Sequence, residues 1–389
     1  MQITKAARVI ILFLCLALLI PAVGIAFQNP AALENFHNRT LAKWPEANAF
    51  VEDPTRYFHQ VQKWLADRAY PIITATHFYK VIKLYVLMTP PEKRLTLGRN
   101  GFIFLNGASE HDINSMFGVI CVGSHSDDTV ARFKSSFAVI ADYMQRTNVS
   151  VDVIIFPTMQ TLYADYLPLS VPQKYREACR ARSPLIDAQR SSNPLVMFPM
   201  QEMINARDDP AFFPKGNWHA RGLSIKTVRD SYLRRLGINQ SVKDELKLTT
   251  EPSELLSPYN IDWELPTYNV INPDVQIDRA RASAVRNAIA DLFDSPRIVV
   301  QAYKNQSSMI PTTALMISDS FGNESAPIFA GAFRELLHVT TSGMEAEQLP
   351  ELLKRVAAFG RIDRIIMLVQ EGGTDRVVAW SNSLAKSGH

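Results

Sequence analysis

Apolar and polar positions change rhythm several times along the chain, and each change predicts an element. Residues 53–88 carry Tyr57, Phe58, Trp64, Leu65, Phe78, Tyr79, Ile82 and Tyr85 at helical spacing, which predicts helices with an aromatic, core-facing side. Pro90 and Pro91 close that region, and Leu97 to Leu105 reads as a β-hairpin turning at Asn100-Gly101, two residues that accept positive φ. From there helix and strand patterns alternate. A helix fits 126–146, a short apolar strand runs from Val151 to Phe156 and stops at Pro157, another helix fits 173–190, and Pro194 to Phe198 is strand-like. A polar stretch over 236–295 holds few sustained apolar periods, and its Trp263 and Tyr268 need cover. Order returns with strands at 297–303 and 313–318, helices near 325–336 and 345–358, and the strand 364–369. Strands interleaved with helices predict an α/β fold, a mostly parallel sheet sandwiched in three layers.

Size and charge narrow the picture. A chain of 389 residues buries a full core, and a net charge of +3 with both signs mixed along it gives no footprint for nucleic acid. Lys5 and Arg8 precede an unbroken apolar run from Val9 to Phe27. That run reads either as a cleaved secretory signal or as a single membrane anchor with its amino terminus in the cytoplasm, and both imply export. Cys15 lies within it, so Cys121 and Cys179 are left either as one disulfide, as an oxidising compartment favours, or as two free thiols. No Cys or His pairs sit at ligand spacing, so neither a metal nor another cofactor is expected.

The candidate chemistry starts where the apolar run 313–317 ends in Ser318-Asp319-Ser320-Phe321-Gly322. A serine at the carboxyl end of a buried strand can present its hydroxyl beside backbone N–H groups able to hold an oxyanion, although Ser, Asp and Gly also favour such a turn for purely structural reasons. Ser320 as nucleophile needs a base. His37, His59 and His77 fall in or near the amino-terminal helical region, His338 after a predicted helix, and His389 at the end. His219 stands apart in the polar and aromatic loop Phe212 to Gly222, just ahead of a helix.

In order along the chain stand Glu34-Asn35, Arg39, Trp44-Pro45, Trp64 with Asp67-Arg68, the Gly98 to Leu105 hairpin, the strand Ile154 to Pro157 followed by Tyr163 and Leu167-Pro168, the Trp218 loop and the Asp319-Ser320-Phe321 turn. This set, with the amino-terminal apolar segment, resembles the AlgJ- and AlgX-like alginate O-acetyltransferase family of exported SGNH-hydrolase-like proteins. The resemblance implies an SGNH-like domain over 97–389 with a polar insertion at 236–295, a linker and helical appendage over 29–96, and a signal or anchor over 1–28.

Where that family reads Gly-Asp-Ser-Phe, this chain has Ser318 for the glycine. Its Asp-x-His-Trp block is changed more: aligned on Trp218 and Gly222, Lys215 takes the acid position and Asn217 the histidine position, with His219 just past the tryptophan. Three outcomes follow. A shifted loop brings His219 to Ser320, oriented by Asp208 or Asp209; or Lys215 acts as base after losing its proton to burial; or no base is present and the fold only binds polysaccharide or scaffolds an acetylation complex. By resemblance, Ser320 accepts acetyl and passes it to an exported polysaccharide in the periplasm, with Asn217 and Trp218 in binding, the Ser320 N–H and Asn323 on the oxyanion, and a multi-pass membrane acyltransferase as partner. Water in place of the sugar would make the same site an acetyl esterase.

Overall fold

The computed structural model describes residues 41–68, 70–109, 111–181, 196–294 and 298–386. The Val9–Phe27 run, Glu34-Asn35, Arg39, His37, His389 and the Pro194-Leu195 start of a predicted strand lie outside them. Among the described residues no helix is long and apolar enough to cross a membrane. The chain divides into two units, one formed by residues up to Glu92 together with Glu254–Trp263, the other by Lys93–Ser253 and Glu264–His389.

The smaller unit contains the helices Pro54–Arg68 and Tyr70–Tyr85. Their aromatic face is not the buried one expected: Phe58, Phe78 and Tyr79 are each more than half exposed. What does pack is local. Trp64 meets Trp44 edge-on at 4.8 Å, the buried Asp67 carboxylate accepts the Ala42 N–H at 2.7 Å, and Trp263 is covered by Tyr85, stacked at 5.9 Å.

The larger unit is built on a seven-stranded sheet in the order β4 (Val196–Met197), β3 (Ser150–Phe156), β11 (Arg364–Gln370), β9 (Ile310–Ser318), β10 (Phe333–Thr340), β8 (Val300–Asn305) and β7 (Val275–Ile277). The first five run parallel, and β8 is antiparallel to both its neighbours. Central strands are buried without alternation, through Ala314–Ser318 in β9 and Ile365–Val369 in β11, as expected of parallel strands covered on both faces. Helices form two sets that pack among themselves: Asp127–Thr147, Thr374–Lys386, Leu349–Ala357 and Arg279–Ile289 in one, and Met200–Ala206, Gly222–Arg235 and Gly322–Phe329 in the other. The expected hairpin is present as β1 (Leu95–Leu97) and β2 (Ile103–Leu105), with Asn100 and Gly101 both at positive φ.

Two expectations from the pattern need correction. The helix placed at 325–336 ends at Phe329, and Phe333–Thr340 is instead β10, whose Leu336, Leu337 and Val339 fill the core beside the serine strand. Apolar residues in so short a run cannot distinguish helix from buried strand by period. The stretch 236–295 is ordered too: β5 (Glu245–Pro252) and β6 (Glu264–Ile271) form a two-stranded hairpin sheet, followed by β7 and the helix Arg279–Ile289. The Arg229 guanidinium, fully buried, holds this region by pairing with Asp244 at 2.5 Å while donating to the Ile328 carbonyl at the end of the serine helix.

Cys121 and Cys179 are joined, closing a loop of 58 residues around the end of β3. By the chain-entropy argument that constraint stabilises the fold by at most roughly 4 kcal/mol. Replacing both cysteines by alanine is therefore expected to lower the unfolding free energy of the full chain, read from denaturant melts, by an amount within that bound, and an unchanged value would show the bridge to be dispensable.

Candidate active site

The serine turn and the Gln370–Gly373 segment stand at the carboxyl ends of parallel strands, where open α/β sheets place their ligand crevices. β9 ends at Ser318, and its carbonyl accepts both the N–H and the hydroxyl of Thr341 at 2.8 Å. The chain then turns. Gly322 N–H donates to Asp319 O at 3.1 Å and Asn323 N–H to Ser320 O at 3.2 Å, which starts the helix Gly322–Phe329 and leaves Ser320 half-buried at the rim. Asp319 is the buttress of the turn. Its carboxylate accepts the Phe321 N–H at 2.9 Å and the Gln370 N–H at 2.8 Å, which joins the serine turn to the end of β11. Burial pushes its pKa up, opposed by those two donors, by the Arg376 guanidinium and by His219.

Phe321 explains the residue after the serine. Its buried ring touches Phe156 at the end of β3 (5.6 Å between centroids), Trp218 edge-on (6.0 Å) and His219 (5.0 Å). The loop bearing Trp218 and His219 is thereby packed against the serine turn, and His219 Nε2 lies 2.8 Å from Ser320 Oγ. With the neutral ring protonated at Nδ1, the serine hydroxyl donates to Nε2, the geometry a general base requires. A cavity of about 400 Å³ opens at Ser320, lined by Trp218, Asp319, Ser320, Gln370, Gly373 and Arg376 among others.

The other residues singled out in the sequence fall elsewhere. Lys215 donates to the Asn100 carbonyl at 3.0 Å and sits over the Phe102 ring, engaged with the hairpin and not with Ser320. Asp209 accepts from the Ala211 N–H and the Tyr268 hydroxyl, and with Asp208 it lines a separate cavity beside Tyr163 and Arg207. Asn217, buried, donates its amide to Glu251 at 2.6 Å. Asn323 accepts the Thr340 hydroxyl at 2.5 Å and is not among the residues lining the Ser320 cavity. No group of acidic, histidine or cysteine side chains able to hold a metal occurs among the described residues.

Two buried histidines, His125 and His338, have structural roles that the sequence reading did not give them. His125 meets Glu371 at 2.7 Å, and the other carboxylate oxygen of Glu371 accepts from the Thr158 N–H and hydroxyl and from the Thr161 hydroxyl. Glu371 is fully buried and directly precedes Gly372-Gly373 in the cavity wall, so this hydrogen-bonded cluster fixes that wall to the end of β3. The signal was available: a buried strand closing on Gln370-Glu371-Gly372-Gly373 ends, like β9, in polar and turn residues. His338 lies under the serine turn, donating from Nδ1 to Gln301 (2.9 Å) and accepting at Nε2 from Ser318 (2.8 Å).

No family model matches the chain, and no curated protein matches it. Among solved structures it is similar to the O-acetyltransferase domain of Pseudomonas putida AlgJ, at 12% identity over 75% of this chain and 99% of that one, with a TM-score of 0.44. Pseudomonas aeruginosa AlgX aligns at 12% identity over 74% of this chain and 67% of its own, with a TM-score of 0.45. Bacillus cereus PatB1, solved with a sulfonyl adduct, aligns at 13% identity over 63% of this chain and 91% of its own, with a TM-score of 0.42. At these identities and scores the likeness assigns neither a family nor an activity to this chain.

Burial drives the His338 pKa down to about 3 from 6.5, so the ring is neutral in the folded protein at working pH. The unfolded chain binds a proton between those values that the folded chain refuses, so stability falls as pH drops through about 6.5 and the penalty saturates below about 3, at no more than roughly 5 kcal/mol. Denaturant melts across that range should show a flatter pH dependence for His338→Gln; an unaltered slope would mean that the ring protonates freely in the fold.

Proposed function

We propose that this protein is a serine acyltransferase that carries an acetyl group on Ser320 and transfers it to a hydroxyl of an exported polysaccharide. The observation that carries this reading is the 2.8 Å contact between Ser320 Oγ and His219 Nε2, with a cavity open at Ser320, at the end of a central parallel strand. Of the three outcomes that the altered Asp-x-His block left open, this geometry supports a displaced histidine, while Lys215 is committed to the hairpin.

In the first half-reaction His219 Nε2 takes the hydroxyl proton as Ser320 Oγ attacks the carbonyl carbon of an acetyl donor. The carbonyl electrons move to oxygen, and the backbone N–H of Ser320 is the donor proposed for that oxyanion. Collapse expels the donor's leaving group, which receives the proton from His219 and leaves an acetyl ester on Ser320. In the second half-reaction His219 takes a proton from the acceptor hydroxyl, the new C–O bond forms, the bond to Oγ breaks, and Ser320 recovers its proton. Asp319 carries no proton in this scheme; it fixes the turn and adds negative charge near the imidazolium that forms.

The polysaccharide acceptor, the periplasmic location, the amino-terminal signal or anchor and a membrane acyltransferase as donor partner belong to the same proposal. They rest on the motif resemblance and on the Val9–Phe27 run. Among the similar structures, that of Pseudomonas putida AlgJ is an O-acetyltransferase domain.

The test is hydrolysis of 4-nitrophenyl acetate by the purified chain, followed by acetyl transfer to oligosaccharide acceptors detected by mass. Ser320→Ala and His219→Ala are each expected to lose activity by roughly a hundredfold or more. Loss in Ser320→Ala alone would assign the base elsewhere, and an inactive wild type would favour a binding or scaffold role. Release of acetate with no transfer to any sugar would make the enzyme an esterase.

A further inference from the structure

The segment that carries the base of the proposed site is gripped at both ends by one carboxylate. The three residues Trp218-His219-Ala220 are flanked by Asn217 and Arg221, and both flanking side chains converge on one oxygen. Asn217 Nδ2 donates to Glu251 Oε1 at 2.6 Å, and Arg221 Nε donates to the same atom at 3.2 Å. Arg221 then reaches the other partner of the pair, since its Nη1 forms an ion pair at 3.0 Å with Glu324, one turn beyond Ser320 on the serine helix. The backbone of Arg221 is fixed as well, as the cap of the next helix: its N–H donates to Ser224 Oγ at 3.2 Å, and the same hydroxyl donates to its carbonyl at 2.7 Å.

We propose that Glu251 is a positioning residue for the Ser320–His219 pair: it grips both ends of the segment carrying the base and, through Arg221 and Glu324, registers that segment against the helix that follows the nucleophile. The inference rests on the acyl-transfer reading above. It also gives a use to Asn217, which takes the position of the resembling family's histidine but serves as an anchor.

The charges make the hold sensitive to pH. Glu251 is faced by the Arg221 guanidinium, by the Glu324 carboxylate and by the Asn217 amide, and Tyr268 lines the same groove. Burial raises its pKa, Arg221 and Asn217 lower it, and Glu324 raises it again, for a net shift upward. Acidification therefore neutralises Glu251 earlier than an ordinary glutamate. A protonated Glu251 loses the charge that Arg221 and Asn217 bind, and the loop loses its register on the acid side of the profile.

The experiment measures the rate of covalent labelling of Ser320 by phenylmethanesulfonyl fluoride, read by intact mass across pH values from about 5 to about 9. Wild type, Glu251→Gln, Arg221→Gln and the double variant are compared on the full chain, with thermal melts alongside. Loss of register is expected to slow labelling of Glu251→Gln by roughly ten- to a hundredfold. Its acid limb should be shallower than that of wild type, and the double variant should be no slower than the slower single one. Unchanged labelling in Glu251→Gln overturns the inference, as does slow labelling with a wild-type acid limb and a lowered melting temperature, which is the signature of a merely structural role. If wild type itself is not labelled at Ser320, the acyl-transfer reading fails first, so the two failures are told apart.

Discussion

The arrangement depends on one packing contact, the Phe321 ring wedged between the end of β3 and the Trp218-His219 loop. Phe321 is thus the surface on which the His219 ring is seated. A hydrogen bond of 2.8 Å between two mobile side chains would be a weak constraint in water. Here its partners are fixed before it forms, the serine by its turn and the imidazole by the aromatic ring beneath it.

Around that contact, polar groups are paired at strand ends in a way that converts an irregular region into a rigid one. Asp319 joins the ends of β9 and β11, Glu371 joins the end of β11 to Thr158 and Thr161 after β3, and Thr341 closes β10 onto Ser318. Burying these groups costs solvation, and each is satisfied by backbone or hydroxyl donors. The free energy so committed yields little net stability. Its effect is geometric: the wall formed by Gly372-Gly373 and the serine turn keep a fixed separation.

Much of this was legible in the sequence, and the failures have physical causes. Unbroken burial of β9 and β11 left apolar runs that could be read directly, and the small-acid-serine step marked the rim. The aromatic loop before Gly222 singled out His219, whose ring lies 2.8 Å from Ser320 Oγ. β10 was misread because a strand buried on both faces has no period to separate it from a short helix. The aromatic stripes of 53–88 were assigned to a core because amphipathic spacing says nothing of whether a covering element exists. Glu251 was invisible because it is brought to Asn217 and Arg221 by a hairpin, across thirty or more positions of sequence, and spacing arguments stop at a few turns.

Gly322 illustrates how one departure from a motif constrains another position. A methyl group at this residue would lie 1.9 Å from Ser318 Oγ and 2.6 Å from His338 Nε2. The hydroxymethyl at 318 and an empty alpha carbon at 322 are therefore complementary halves of a single volume, and drift at either position is coupled to the other. Chains descended from this one should vary at the pair together or not at all, and a graft of the serine turn into another scaffold must carry both.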